Sequence, residues 1–396
     1  MRTVLWINGW PDVGGAERAQ LNVFRHLAKS HRITAVLSDD ARPRLVAEIE
    51  ALGIAIHRAP LTRLRQTLAP HAVVRFAYRF SRATRTLATL MRGLSPDVVH
   101  TAYLYDVLFC GLAARRARVP LFWLIENPER FDRVNTALLN ACGLSGYAGT
   151  STSILAAARA HGVKARTTGL VPNSYDERSF YPSTAGRAER DTIRIGFAGI
   201  FDERKGVVEL CQAFGMLKRI LQQESRRDPS VKLMLAGDGD ASYKREMHEA
   251  LRVFAAEHDV TLLSGLTTPD QMRAFYQGLD IYVMLSKREG LSVAMLEALA
   301  CGLPGVIVSP WGDDVVDDGV HGIRLPNRDP LTVARALHSL VVNSELRVSL
   351  GCAAARRLRS EFASEHVAPR LGQLYEQLIG PAHGASPHRS VRGGDR

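Results

Sequence analysis

Two rhythms of apolar residues run along this chain. Strand-length apolar runs recur at residues 4–8, 33–38, 54–58, 97–101, 121–126 and 147–151, and between most of them lie stretches of helical periodicity, such as 16–29 and 104–117. A polar span of small and charged residues follows from Pro182 to Asp191 and reads as a linker over 182–192. The pattern then restarts, with strand-like runs at 193–198, 232–236, 260–264, 281–286 and 305–309 and helical periodicity at 207–222, 242–257, 269–278 and 293–301. Such alternation predicts parallel, doubly wound sheets. The fold class is therefore α/β, with two Rossmann-like doubly wound domains facing a cleft, the first over 1–181 and the second over 193–364. Ligands of such sheets bind outside the carboxyl ends of the strands, which makes the cleft the expected site. Residues 381–396 are rich in Gly, Pro, Ser, His and Arg, lack apolar periodicity and predict a disordered tail.

One helix breaks the amphipathic rule. The segment beginning near Ser292 is apolar on nearly every side except for Glu297, and a helix hydrophobic all round is a buried helix. A buried carboxylate is costly unless paired or hydrogen-bonded, so Glu297 needs a partner. Glu289 lies eight residues earlier, before a tight turn at Gly290, at the mouth of the same helix. The helix start also aims unpaired N–H groups at any anion lying there.

Composition changes this picture in two respects. A length of 396 residues with 46% hydrophobic and 23% charged side chains is ordinary for a globular protein of two or three domains. The net charge of +11 is less ordinary and favours anionic partners: nucleotides, phosphorylated substrates, acidic lipid or nucleic acid. The five cysteines are scattered, odd in number and without metal-ligand spacing, which reads as reduced thiols in a cytoplasmic protein. No apolar run has the length of a signal peptide core or a membrane span.

Several turns carry candidate chemistry. Gly14-Gly15-Ala16-Glu17-Arg18 follows the first strand and opens the first helix, where glycines let a ligand approach the backbone or simply serve the turn. It is not a G-x-G-x-x-G fingerprint, and no phosphate-binding G-x-x-x-x-G-K-[ST] loop occurs. Arg204 and Lys205 end the first strand of the second domain, placed either to clamp a diphosphate or to form a solvated basic turn. Asp238-Gly239-Asp240 has metal-ligand character, but Gly and Asp are ordinary turn residues, and no metal is assigned. His100 sits at the carboxyl end of a strand, where a substrate contact and a structural role both fit. The segment 62–94 carries seven arginines and no acid; Arg75, Arg79 and Arg82 share one helical face, while Phe76, Phe80 and Leu87 lie on another. That suits either an anionic membrane surface or an ordinary surface helix. No nucleic-acid-binding motif accompanies the charge, so nucleic acid is not among the expected partners.

Taken together, Glu289-x7-Glu297 and the following Ala298-Leu299-Ala300-Cys301-Gly302-Leu303-Pro304 resemble the signature of the retaining glycosyltransferases of family 4, which have the GT-B fold. Gly14-Gly15-Ala16-Glu17, Val171-Pro172-Asn173, Lys205-Gly206 and Leu235-Ala236-Gly237-Asp238-Gly239 fall in the family's order, and the resemblance covers about residues 1–380. It implies transfer of a sugar from a nucleotide donor with retention of configuration and usually without a metal or other cofactor. In the implied site, Glu289 contacts the donor sugar, Gly290, Leu291 and Ser292 offer backbone N–H groups, and Glu297 holds the ribose. Lys205 and neighbouring Arg204 face the diphosphate, Gly15 lets the first domain approach it, and Gly265-Leu266 meets the base through backbone atoms. A final helix, about 365–380, crosses back to the first domain.

Two positions depart from the family pattern. Ile200 stands where arginine usually follows the glycine of Gly199, and Ala102 stands where a second histidine often follows the position of His100. Arg204 is the local substitute for the missing cation, and His100, Tyr103 or Glu126 the residues to take over on the acceptor side. The resemblance implies a UDP-sugar donor, with a GDP-sugar transferase or a non-catalytic nucleotide-sugar-binding protein as alternatives. The acceptor, whether glycan, lipid-linked or small molecule, is not named by any motif. The expected location is cytoplasmic, with a peripheral position at the inner membrane face if the arginine-rich segment meets lipid.

Overall fold

The apolar runs become strands of two parallel sheets, all of them inner strands except those at 54–58 and 260–264, which form edges. A computed structural model describes residues 1–61, 70–129, 131–183, 191–224, 230–310 and 312–380. Most of the expected linker, the tail from 381 and the start of the arginine-rich segment, 62–69, lie outside the described residues.

The first sheet contains β1 (Arg2–Asn8), β2 (His31–Ser38), β3 (Ala55–Ala59), β4 (Val98–Thr101), β5 (Leu121–Ile125), β6 (Gly146–Gly149) and β7 (Thr167–Leu170), in the order β3-β2-β1-β4-β5-β6-β7. Its helices are α1 (Gly15–Leu27), α2 (Pro43–Glu50), α3 (Pro70–Leu94), α4 (Leu104–Ala117), α5 (Arg133–Cys142) and α6 (Thr152–Ala160). The second sheet contains β8 (Thr192–Ala198), β9 (Ser230–Ala236), β10 (Val260–Leu263), β11 (Ile281–Met284), β12 (Gly305–Val308) and β13 (Gly322–Leu325), in the order β10-β9-β8-β11-β12-β13. Around it lie α7 (Val207–Gln223), α8 (Ala241–Arg252), α9 (Pro269–Gln277), α10 (Val293–Ala300), α11 (Pro330–Val342) and α12 (Ser344–Arg357). The chain ends its described part in α13 (Ser364–Ile379).

Each sheet reverses its winding once, between β1 and β4 and between β8 and β11. Helices on either side diverge there, leaving a crevice at the strands' carboxyl ends. The Gly14-Gly15 turn follows β1, the Lys205-Gly206 turn follows β8, and the Glu289–Ser292 loop follows β11, so all three border a switch point. The two strands missing from the sequence expectation, β7 and β13, are four-residue edge strands, β7 with no buried residue and β13 buried only at its two ends, with two glycines between them, and so lack a continuous apolar run.

Helix α13 packs on the first sheet. Glycines make room for it: a Cβ on Gly146 would lie 2.8 Å from Leu378 Cδ2, and one on Gly169 would lie 2.9 Å from Leu374 Cδ1. The helix start is held by Glu177, whose Oε2 accepts from Ser364 N at 3.0 Å and Ser364 Oγ at 2.7 Å. Tyr375 is fully buried and hydrogen-bonds His100 Nδ1 at 2.5 Å, among the rings of Phe24 and Phe122. His100 is itself fully buried, and burial pushes its pKa down to about 3. The expected substrate contact at His100 is thereby corrected: β4 turns its side chain into the α13 interface, and the ring ties the C-terminal helix to the sheet.

The arginine-rich helix α3 turns its apolar face inward. Phe76 and Phe80 pack on Phe109 of α4 with centroids 6.3 and 5.1 Å apart, Leu87 is fully buried, and Arg75, Arg79, Arg82 and Arg85 are exposed. Among the described residues, no helix is long and apolar enough to cross a membrane.

Tyr375→Phe leaves a buried imidazole nitrogen without its partner and is expected to cost about 1–3 kcal/mol in urea denaturation, whereas adding His100→Leu restores most of the loss. The His100 pKa is lower folded than its ordinary value of 6.5. Below that ordinary value the unfolded chain binds a proton that the folded chain refuses, so stability falls as pH drops, by up to about 1.4 kcal/mol per pH unit. Denaturation series at several pH values should show a shallower acid-side slope in the His100→Leu, Tyr375→Phe protein.

Candidate functional site

Helix α10 is short, apolar and buried on all sides, as its composition requires. Ser292 caps it, its Oγ accepting from Met295 N at 3.4 Å. Glu297, its only charged side chain, is 5% exposed and accepts a hydrogen bond from Tyr276 on α9 at 3.1 Å. Burial raises its pKa to about 7, while the charge of Arg18 in the first domain and the Tyr276 hydrogen bond pull it down. The partner sought for Glu297 is therefore not Glu289 but this tyrosine and a cation from across the cleft.

Glu289 has its own partner. Its Oε2 is ion-paired with Lys205 Nζ and accepts from Ser286 Oγ at 3.3 Å. Lys205 is positioned by a 3-10 turn, Glu203–Lys205, whose cap Asp202 accepts from Lys205 N at 3.0 Å. Gly206 is required after it: φ is +71° and a Cβ would stand 2.7 Å from Leu285 O, so the turn fits directly against the loop leaving β11. Lys287 N donates to Arg204 O at 2.7 Å and joins the two loops. Arg204 itself is held at 2.6 Å by Asp202 and is mostly exposed, while Ile200 is 62% exposed. Asp240 caps α8 through Tyr243 N at 2.8 Å and Asp238 pairs with Lys244, so both aspartates serve the turn. Among the described residues there is no cluster of three or more potential metal ligands.

The first domain supplies the opposite wall. A Cβ on Gly15 would lie 3.8 Å from Val293 Cβ, so this glycine turn faces the start of α10. Glu17, buried, accepts from Gly14 N at 3.0 Å and from the Tyr103 hydroxyl, which shapes the turn and occupies Tyr103. Glu126 ends β5 at the base of the cleft and accepts from Gln20 Nε2 at 3.0 Å. Burial, then the nearby Glu17 charge, raises its pKa to about 8 against hydrogen bonds from Gln20 and Asn173. Beside it lies a cavity of about 10 Å³, lined by Gln20, Glu126, Pro172 and Asn173 among others, room for one water.

The two walls touch. A Cβ on Gly290 would stand 1.9 Å from Glu126 O, a separation only glycine allows. Asn173 Nδ2 donates to Leu291 O at 2.8 Å, and Arg288 donates to Pro128 O at 2.7 Å. At the rim, Arg44 and Arg18 donate to Thr267 O at 2.8 and 3.5 Å, just beyond Gly265 and Leu266. Gly15, Lys205, Glu289, Gly290, Leu291, Ser292 and Glu297 are thus gathered around one crevice, with Gly265-Leu266 at its edge and Arg204 turned aside by Asp202. His100 lies elsewhere, and Ala102 is buried. Arg18 and Tyr276 were missed: Arg18 follows the glycine turn by only three residues, whereas nothing local marks Tyr276.

The chain is similar to known proteins in both halves. The family described as Glycosyltransferase Family 4 matches residues 13–178, and that described as Glycosyl transferases group 1 matches residues 192–343. The D-inositol 3-phosphate glycosyltransferase of Corynebacterium jeikeium is 28% identical over 228 residues, covering 54% of this chain and 52% of that protein. Its counterpart by name in Pseudarthrobacter chlorophenolicus is 30% identical over 200 residues, covering 48% and 46%. The chain thus spans about half the length of these curated relatives. Among solved structures, Anabaena Alr3699/HepE in complex with UDP-glucose superimposes with a TM-score of 0.76 at 18% identity, covering 95% of this chain and 100% of that one. Two facing parallel sheets, the loop–helix carboxylates at one switch point and family matches over both halves lead to one conclusion: this chain belongs to the family 4 glycosyltransferases and has the GT-B fold.

Proposed function

We propose that this protein is a retaining glycosyltransferase that moves a sugar from a UDP-sugar to an acceptor hydroxyl. The observation that carries the reading is the Lys205–Glu289 pair beside the N-terminus of α10, directly opposite Gly15. A diphosphate entering there meets Lys205 and the helix N–H groups, and Glu289, released from the lysine, accepts from sugar hydroxyls. The ionised Glu297 accepts from the ribose, and the Gly265-Leu266 backbone meets the base. In this reading residues 193–364 hold the donor, residues 1–181 the acceptor, and α13 links the two.

As the anomeric C–O bond to the diphosphate breaks, the leaving oxygen gains negative charge, which Lys205 and the helix start stabilise. The acceptor oxygen bonds the anomeric carbon on the same face and passes its proton to the departing phosphate oxygen. Glu289 and Glu297 belong to one loop–helix unit and hold the donor; they do not flank the scissile bond as the carboxyl pair of a retaining glycosidase does. Contacts between the walls exclude water and favour transfer over hydrolysis. Of the acceptor-side residues, Glu126, held by Gln20, is the one that ends at the crevice, whereas His100 is bonded to Tyr375 and Tyr103 to Glu17.

A UDP donor is supported by the likeness to a structure bound to UDP-glucose. The five cysteines are free, in keeping with a cytoplasmic setting, and the exposed arginines of α3 support a peripheral position at an anionic membrane. A second reading, a nucleotide-sugar-binding protein without transfer, is favoured by the exposed Ile200 and by Arg204 being held by Asp202.

Slow release of UDP from a UDP-sugar in the absence of acceptor separates the two. It is expected for the wild type and should fall about 10²–10³-fold in Glu289→Ala and in Lys205→Met, the scale of losing one transition-state group. No turnover with any of a panel of UDP- and GDP-sugars, despite a raised melting temperature, would establish the binding protein instead. UDP affinity measured by calorimetry, relative to Glu297→Gln, should rise as pH increases from about 6 to about 8, because the ionised carboxylate accepts both ribose hydroxyls. An identical pH dependence in the two proteins would remove Glu297 from the ribose site.

A further inference from the structure

On the face of the first sheet that carries α3, α4 and α5, two neighbouring helices turn apolar stripes outward. On α5 the outward positions are Val134, Ala137, Leu138 and Ala141, at the i, i+3, i+4, i+7 spacing of a single helical face, and Val134 and Leu138 are 68% and 46% exposed. On α4 they are the partly exposed Leu108 and, one turn on, Leu112, which is 46% exposed. The two helices follow successive parallel strands and so run in the same direction. They are close: a Cβ on Gly111 would lie 2.7 Å from Cys142 Cβ. That contact brings the Leu108 and Leu112 side of α4 next to α5, whose Leu138 lies one turn before Cys142. Each helix has a second apolar face that already lies in the core, through Val107 and Leu139, while Phe109 of α4 meets Phe76 and Phe80 of α3. The outward stripes are surplus to the core.

Charge selects the occupant. The three helices carry five arginines on α3, two on α4 and one on α5, and a single carboxylate, Asp106, which is buried. Arg116, one turn beyond Leu112, and Arg133, beside Val134, are exposed, as are Arg75, Tyr78 and Arg79 on α3; the exposed Asp132, which caps α5, is the one acid next to them among the described residues. A two-fold contact with a second copy would set arginines against arginines. An anionic bilayer complements both features, taking apolar side chains below its headgroups and arginines among its phosphates. We infer that the α3–α4–α5 face is a docking surface for an anionic lipid bilayer, seated by the Leu108, Leu112, Val134 and Leu138 patch and ringed by arginines. This goes beyond a basic helix lying on lipid: the insertion elements are α4 and α5, while α3 contributes charge. Helix α4 starts next to Tyr103, which bonds Glu17 in the crevice wall, so the docked face adjoins the cleft.

The test is co-sedimentation of the purified chain with phosphatidylcholine vesicles, with and without phosphatidylglycerol. Binding is expected to the anionic vesicles only and to weaken with salt. Leu112→Glu with Leu138→Glu should abolish it, and Arg116→Glu with Arg133→Glu should lower affinity at least fivefold for each arginine lost, on the scale of about one basic residue near the surface. Both double variants should keep the UDP-induced rise in melting temperature, which separates a lost surface from a lost fold and from failure of the proposed donor site. Wild-type indifference to anionic vesicles, or binding unchanged in both variants, would overturn the inference. So would a concentration-dependent dimer that Leu138→Glu dissociates, since that would place a second copy on the patch.

Discussion

One buried carboxylate constrains the architecture of the cleft. Glu297 is the only charged group on a helix otherwise made of Val, Ala, Met and Leu. Such a helix must be covered on every side, yet an ionised carboxylate buried without compensation is among the costliest groups a fold can hold. The fold resolves the conflict by placing α10 at the switch point of the second sheet, its first turn against the other domain and Glu297 between Tyr276 and the reach of Arg18. The loop before the helix then has one place to go. Gly290 lies so close to Glu126 O that no side chain fits, and Asn173 fastens the next carbonyl.

The charges around the crevice follow from the same closeness. Burial pushes the pKa values of Glu297 and Glu126 up to about 7 and about 8, so the charge of the crevice changes through neutral pH. The half-buried Lys205 is ion-paired with Glu289, and a diphosphate would compete for that lysine without asking it to leave its place. Arg204, which the sequence suggested as a substitute for the cation missing at Ile200, is already committed to Asp202. The first domain instead brings Arg18 toward Glu297, a contribution that exists only while the walls are together. Cation supply and domain contact are thus coupled in this protein.

Much of the fold is legible because βα alternation changes the apolar period from about two to about 3.6, and inner strands covered on both faces read as continuous apolar runs. Edge strands β7 and β13 escaped because they are four residues long, Thr-Thr-Gly-Leu and Gly-Ile-Arg-Leu, and their apolar runs are broken, whereas the edge strands β3 and β10 were readable. His100 shows a different limit. Its place at a strand end was readable, but which way the side chain points depends on Tyr375, 275 residues later, and on the glycines of β6 and β7 that admit α13. The apolar face of α3 was equally readable, and only Phe109 beneath it shows that the face belongs to the core.

The chain by itself determined two doubly wound units, the turns at their strand ends and the Glu289-x7-Glu297 unit, because each is encoded within a few consecutive residues by spacing, glycine content and apolar period. Tertiary structure decided the pairing. It gave Lys205 to Glu289, Tyr276 and Arg18 to Glu297, Gln20 to Glu126, and His100 to Tyr375, and it left the stripes of α4 and α5 facing outward. None of these partners is near in sequence except Ser286 to Glu289, and a side chain's partner depends on where two separately folded segments meet. That meeting is set by packing volume and by the absence of a Cβ at Gly290 and Gly206, which local pattern marks as turns but cannot identify as contacts.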